Sequence, residues 1–161
     1  MSLNALQLLV RDTLQGLETP AIDLPAAQCW IAPPVPGEIA VPQIYVWGAH
    51  FKETRQTMGR GIGGAKRLDY DLAIHLYAEM LSDDTTADSA FPLFIEAVLS
   101  ALRRITMPQP LTDNVTGVVS QLVAVGEDFN VTYGVPRSLR DQRFLWYNCG
   151  VTMSATEIII A

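Results

Sequence analysis

Residues 68–80, LDYDLAIHLYAEM, alternate with a strict period of two. Leu68, Tyr70, Leu72, Ile74, Leu76, Ala78 and Met80 fall on one side, and Asp69, Asp71, Ala73, His75, Tyr77 and Glu79 on the other. Successive side chains of a strand point to opposite faces, so this pattern predicts a long strand with a greasy row inward and a polar row outward. The segment 144–158 repeats the pattern, with Leu145, Tyr147, Cys149, Val151, Met153 and Ala155 on one face. Phe144, Trp146, Asn148, Thr152, Ser154 and Thr156 take its other face. Two segments have helical spacing instead. Leu3, Leu6, Val10, Leu14 and Leu17 predict a helix over residues 3–16, with Ser2 as cap and Gly16 and Pro20 closing it. Phe91, Phe94, Ile95, Val98, Leu99 and Leu102 predict a second within residues 90–105, with Pro92 in its first turn and Arg103 and Arg104 at its C-terminal end.

Shorter apolar runs supply the other strands: AQCWIA (27–32), stopped by PPVPGE, then QIYVWGAH (43–50) and VTGVVSQLVAVG (115–126). The closing EIIIA has the β-branched composition of a core strand or of a sheet edge. Three stretches lack apolar periodicity and are expected as loops: a glycine-rich basic arm over 51–67, the turn SDDTTADS over 82–89, and a loop or short hairpin over 126–143. The order of elements predicts one α+β domain over residues 1–161: a mostly antiparallel sheet with two amphipathic helices packed on one face, and a long glycine-rich basic loop.

Composition sharpens this picture. Apolar residues make up 49% of the chain and charged residues 17%, which leaves little polar material to cover an isolated globule and suggests that some apolar surface meets a partner. No apolar run is long enough to span a bilayer. Arg11 and Asp12 fall where a signal peptide needs apolar residues, so assembly in the cytoplasm is expected. The net charge of −6 argues against general nucleic-acid binding. Its distribution is uneven. Residues 51–67 carry Lys52, Arg55, Arg60, Lys66 and Arg67 against Glu53, a net +4 that leaves −10 on the remainder. Such an arm suits an acidic patch on another copy, or phosphate.

Candidate chemistry is sparse. Gly59, Gly61 and Gly64 match G-x-G-x-x-G, but a period-two strand follows them where a dinucleotide fold needs a helix N-terminus. Ala65 separates Gly64 from Lys66, and no Ser or Thr follows that lysine, so the P-loop pattern fails as well. Asp69, Asp71, His75 and Glu79 share a strand face, which raises a metal-dependent enzyme as an alternative. Neighbours on that face stand about 7 Å apart, loose for one shared ion. His50 has no evident partner, and no serine sits in a nucleophile elbow. Cys29 and Cys149 read as small buried hydrophobes. No cofactor and no catalysis are expected. Arg137, Arg140 and Arg143 around Asp141, beside Phe144, Trp146 and Tyr147, have the composition interfaces favour. The acidic turn with Asp83 and Asp84, together with the polar row of Asp69 and Asp71, is the expected counterpart of a neighbour's arm.

In its order of elements the chain resembles the tail terminator and tail-completion proteins of long-tailed bacteriophages, which belong to the head-to-tail connector region. The likeness runs through the opening helix LNALQLLVRDTLQGL, the early strand pair, the arm FKETRQTMGRGIGGAKRLDYDLAIHLYAEM, the helix AFPLFIEAVLSALRRI and the final strand pair. It implies a structural virion protein in the tail or neck region. It implies that copies close into a ring, a hexamer, that caps the tail tube, ends tube polymerisation and offers a surface for the head. The implied partners are further copies of the chain, the tail tube protein and a head-closure or neck protein, with DNA passing only through the lumen and no membrane contact. Another connector component or a minor tail protein is the nearest alternative.

Overall fold

The computed structural model describes residues 3–17, 28–34, 42–55, 64–81, 87–105, 107–112, 119–138 and 144–160. Helix α1 spans Leu3–Leu14, and its stripe of Leu6, Val10 and Leu14 is fully buried. Gly16 ends it with φ of 74°, the left-handed conformation that a residue without Cβ adopts at least cost. Helix α2 spans Ala87–Arg103 and buries Phe91, Phe94, Ile95, Val98 and Leu102. It begins earlier than its apolar periodicity suggests, so Pro92 lies beyond the first turn and removes one backbone donor from the helix. Its last turn tightens, with the Arg104 N–H donating to the Ala101 carbonyl and that of Ile105 to Leu102.

Among the described residues, seven strands form one sheet: β1 (Cys29–Trp30), β2 (Gln43–Arg55), β3 (Ala65–Leu81), β4 (Gln109–Thr112), β5 (Val119–Tyr133), β6 (Arg137–Ser138) and β7 (Phe144–Ile160). Their order is β1-β2-β3-β7-β5-β4, with β6 also on β7. Of these strands only β1 pairs in parallel, with β2. The architecture is α+β. The last strand inserts between β3 and β5, and it pairs with β3 without interruption from Ala65↔Ile160 to Leu81↔Phe144. The sheet curls enough for α1 to touch β1 and β2 at one edge and β4 at the other.

The two alternating rows are realised. Leu68, Tyr70, Leu72, Ile74, Leu76 and Ala78 of β3 share one buried core with Tyr147, Cys149, Val151, Met153 and Ala155 of β7 and with both helical stripes. The inward row of β7 extends one step further than the apolar pattern, to Glu157, which is wholly buried. Its Oε2 accepts a hydrogen bond of 2.6 Å from the Tyr70 hydroxyl. No helix among the described residues is long and apolar enough to cross a membrane.

Three expectations need correction. Both ends of the arm are ladder: β2 continues to Arg55 and β3 begins at Ala65, paired down to Arg55↔Lys66, while residues 56–63 lie outside the described residues. Its charged side chains hide the strand, because backbone pairing requires no apolar alternation. Lys52 stands opposite Asp69 and Thr54 opposite Arg67, and Lys66 forms a diagonal ion pair with Glu53 at 2.7 Å. Likewise, much of the expected 126–143 loop is strand. β5 runs through Phe129 and Val131 to Tyr133, and β6 resumes the pairing opposite Trp146 and Leu145. A bulge obscures it: residues 126–128 together oppose Ser154, with Gly126 at φ of 61°. Finally, the strand expected over 27–32 shrinks to Cys29–Trp30.

Candidate functional site

The residues that face away from the core arrange themselves by cross-strand register. Outward positions of β2, β3, β7 and β5 form rows across the sheet: Trp47, Ala73, Thr152 and Asn130 in one, and His50, Asp71 and Ser154 with the 126–128 bulge in the next. A third row holds Lys52, Asp69, Thr156 and Ala124. This open face changes character along the strands. Toward the start of β2 it is aromatic: Trp47 stacks on His75 with centroids 6.0 Å apart, Tyr77 lies 5.3 Å from Trp146, and Tyr45 meets Tyr77 edge-on. Toward the arm it is charged.

The expected outward row is therefore only partly exposed. Ala73 is buried, and His75 and Tyr77 are half-buried among the aromatic rings. Burial lowers the pKa of His75, because the imidazolium loses more hydration than the neutral ring. Asp71 is exposed, opposite both His50 and Ser154. Asp69 accepts hydrogen bonds of 2.8 Å from Arg67 Nε and from the Thr156 hydroxyl. Burial, the largest single influence on its carboxyl, raises the pKa. The bonds from Arg67 and Thr156 and the charges of Arg67 and Lys52 together outweigh it and bring the pKa below the usual value.

The basic arm is thus partly neutralised within the chain: Arg67 engages Asp69, Lys66 engages Glu53, and Lys52 lies opposite Asp69. Arg55 has no ion-pair partner among the described residues. Exposed pairs of this kind contribute about 0–1 kcal/mol each, so they set register more than stability. Arg137 is exposed and sits opposite Trp146, which is itself opposite Glu79. That places it on the order of 40 Å along the strands from Lys66, so the two basic clusters are not one surface. Arg60, Asp83, Asp84, Arg140 and Arg143 lie outside the described residues.

A shallow hollow of about 510 Å³ on the open face is bordered by His50, Asp71, Asp128, Asn130, Thr152 and Ser154. His50, for which the sequence offers no partner, stands opposite Asp71. The row His50-Asp71-Ser154 nevertheless has the wrong order for a serine nucleophile. Its acid lies between the other two, and the histidine is two strand spacings, about 10 Å, from the hydroxyl it would have to deprotonate. Asp69 is engaged by Arg67 and Thr156 and His75 stacks on Trp47, and no group of three His, Cys, Asp or Glu among the described residues is placed to hold a metal ion. Cys29 and Cys149 are buried and free, and burial pushes both thiols up to about 11, against nucleophilic use.

The edges of the sheet are the remaining feature with chemical capacity. Beyond Tyr45, β2 has no partner on its outer side among the described residues, leaving Val46–Arg55 as a free edge. Beyond Leu122, β5 is likewise unpaired on its outer side. Such edges present unpaired N–H and C=O groups, a template for another strand. Trp30, Phe51, Tyr133 and Val135 add exposed apolar surface on β1, β2 and the β5–β6 segment. The sequence carried a signal for Glu157, since the period-two row continues to it. It carried none for the free edges, which depend on strand order. No protein-family model and no curated protein matches the chain.

Proposed function

We propose that this chain is a structural virion subunit: copies close into a ring, in the reading six, that caps the tail tube of a long-tailed bacteriophage, ends tube growth and presents the surface to which the head is joined. Both helices lie on one face of the sheet, so the opposite face and the two edges are left for assembly. The observation that carries the reading is the pair of unlike free edges, β2 at one side of the strand order and β5 at the other. A contact between unlike surfaces repeats from copy to copy, and only closure into a ring ends it without leaving an edge open. Low charge content and exposed aromatic side chains on the same segments fit a subunit that completes its surface by association. The tail tube protein and a head-closure or neck protein are the partners above and below the ring, with DNA passing through its lumen.

The test is the mass of the purified protein by light scattering at low and high salt, with imaging of any assembled particle. A closed ring of several copies is expected. A monomer at every concentration and salt tested would overturn the reading.

A further inference from the structure

The charges of the arm do not balance within the chain. Lys66 engages Glu53, and Arg67 engages Asp69, which also stands opposite Lys52. Arg55 is exposed and directly opposite Lys66, a like-charge pair across the ladder that is unfavourable until an acid relieves it. Glu53, two residues back on the same side of β2, is already held by Lys66 at 2.7 Å. Arg55 is therefore left without an ion pair among the described residues.

The opposite surplus lies in the hollow on the open face. Asp71 and Asp128 border it together with His50, Asn130, Thr152 and Ser154. Both acids are exposed, and neither has an ion-pair partner among the described residues. Asp71 belongs to β3 and Asp128 to the bulge of β5, with β7 between them. Two strand spacings, about 10 Å, separate their backbones. With His50 they form no metal-holding group. Acids on either side of a hollow suit a broad organic cation instead, and a guanidinium carries five N–H donors in one plane. The Thr152 and Ser154 hydroxyls and the Asn130 amide add neutral acceptors along the same hollow.

Arg55 cannot reach this hollow in its own chain. It lies in the row of Lys66 and Ile159, five residues along β3 from Asp71, about 17 Å away. By alternation it also shares the helix-covered side of the sheet with Leu68 and Tyr70, whereas Asp71 faces the open side. We infer that the hollow receives Arg55 of a neighbouring copy, its guanidinium set between Asp71 and Asp128. The inference rests on the ring reading and names one of its contacts. Arm end and open face are unlike surfaces, so the contact passes from copy to copy as a ring requires, and it involves no strand pairing between copies. It also replaces the acid expected to meet the arm. Asp69 is already held by Arg67 and Thr156, and Asp128 joins Asp71 only through the strand order.

The experiment is a charge-reversal cycle on the full chain: Arg55→Glu, Asp128→Lys and the two combined. Arg104→Glu, at an exposed position just beyond α2, is the control of equal charge change. A melting curve shows that each variant folds, and sedimentation at low salt follows association. Arg55→Glu and Asp128→Lys are each expected to weaken association on the order of fivefold per contact. The combined variant should associate better than either, and Arg104→Glu should match the parent. Because Arg55→Glu also removes the like-charge pair with Lys66, its melting temperature should hold or rise while association falls, a split that a merely structural role would not produce. Parental association in both single variants, no recovery in the combined one, or an equal loss in Arg104→Glu would overturn the socket and leave the ring reading standing. A parent chain that never associates would overturn both.

Discussion

Removing the hydroxyl of Tyr70 tests how the charged end of the sheet is held to its core. Tyr70 is 1% exposed, and its hydroxyl reaches the Oε2 of Glu157, itself 0% exposed, at 2.6 Å. The bond joins β3 to β7 beneath the row that carries Phe51, whose ring centroid is 6.4 Å from that of Tyr70. Tyr70→Phe keeps the ring and deletes one donor to a buried carboxyl, a loss of about 1–3 kcal/mol. In a domain of this size each kcal/mol moves Tm by about 2–4 °C. Urea unfolding and thermal melting should both report the loss, and amide exchange over residues 65–71 should quicken. Glu157→Leu removes the acceptor of the same bond and should also lower stability. Tyr70→Phe should cost less in the Glu157→Leu background than in the parent, a coupling that the double-mutant cycle reads. A Tyr70→Phe protein within about 0.5 kcal/mol of the parent, with unchanged exchange, would refute this account of the bond.

Two further outcomes follow from local geometry. The folded-state pKa of Asp69 is depressed, so its contribution is present above the ordinary carboxyl value of 3.8 and is lost as pH falls through the lower folded value. The stability difference between the parent and Asp69→Asn should therefore shrink toward zero in acid; a difference that grows on acidification would contradict the assignment. Gly126→Ala places a Cβ against the Phe129 ring at a φ of 61°. It should lower stability by about 1–2 kcal/mol from backbone conformation alone, with additional cost from moving the ring, and an unchanged denaturation midpoint would argue against the bulge.

Local periodicity was sufficient for much of this protein. The inward rows of β3 and β7 and the stripes of α1 and α2 are readable because burial of one face imposes a repeat of two or of about 3.6 residues on the chain. The α+β class follows from their order. Carried one step further, the same period reaches Glu157. Tertiary structure decided the rest. The two ends of the arm are ladder because main-chain hydrogen bonds hold residues 51–55 against 66–70 whatever their side chains, so Lys52, Glu53 and Arg55 conceal a strand. The bulge at residues 126–128 breaks the period of two and makes the far half of β5 resemble a loop. The central place of β7, the pairing of His50 opposite Asp71, and the two unlike free edges arise from pairing between segments far apart in the chain. Alternation in one segment says which face is inward, but only the assembled sheet determines which strand lies beside it and which edge is left open.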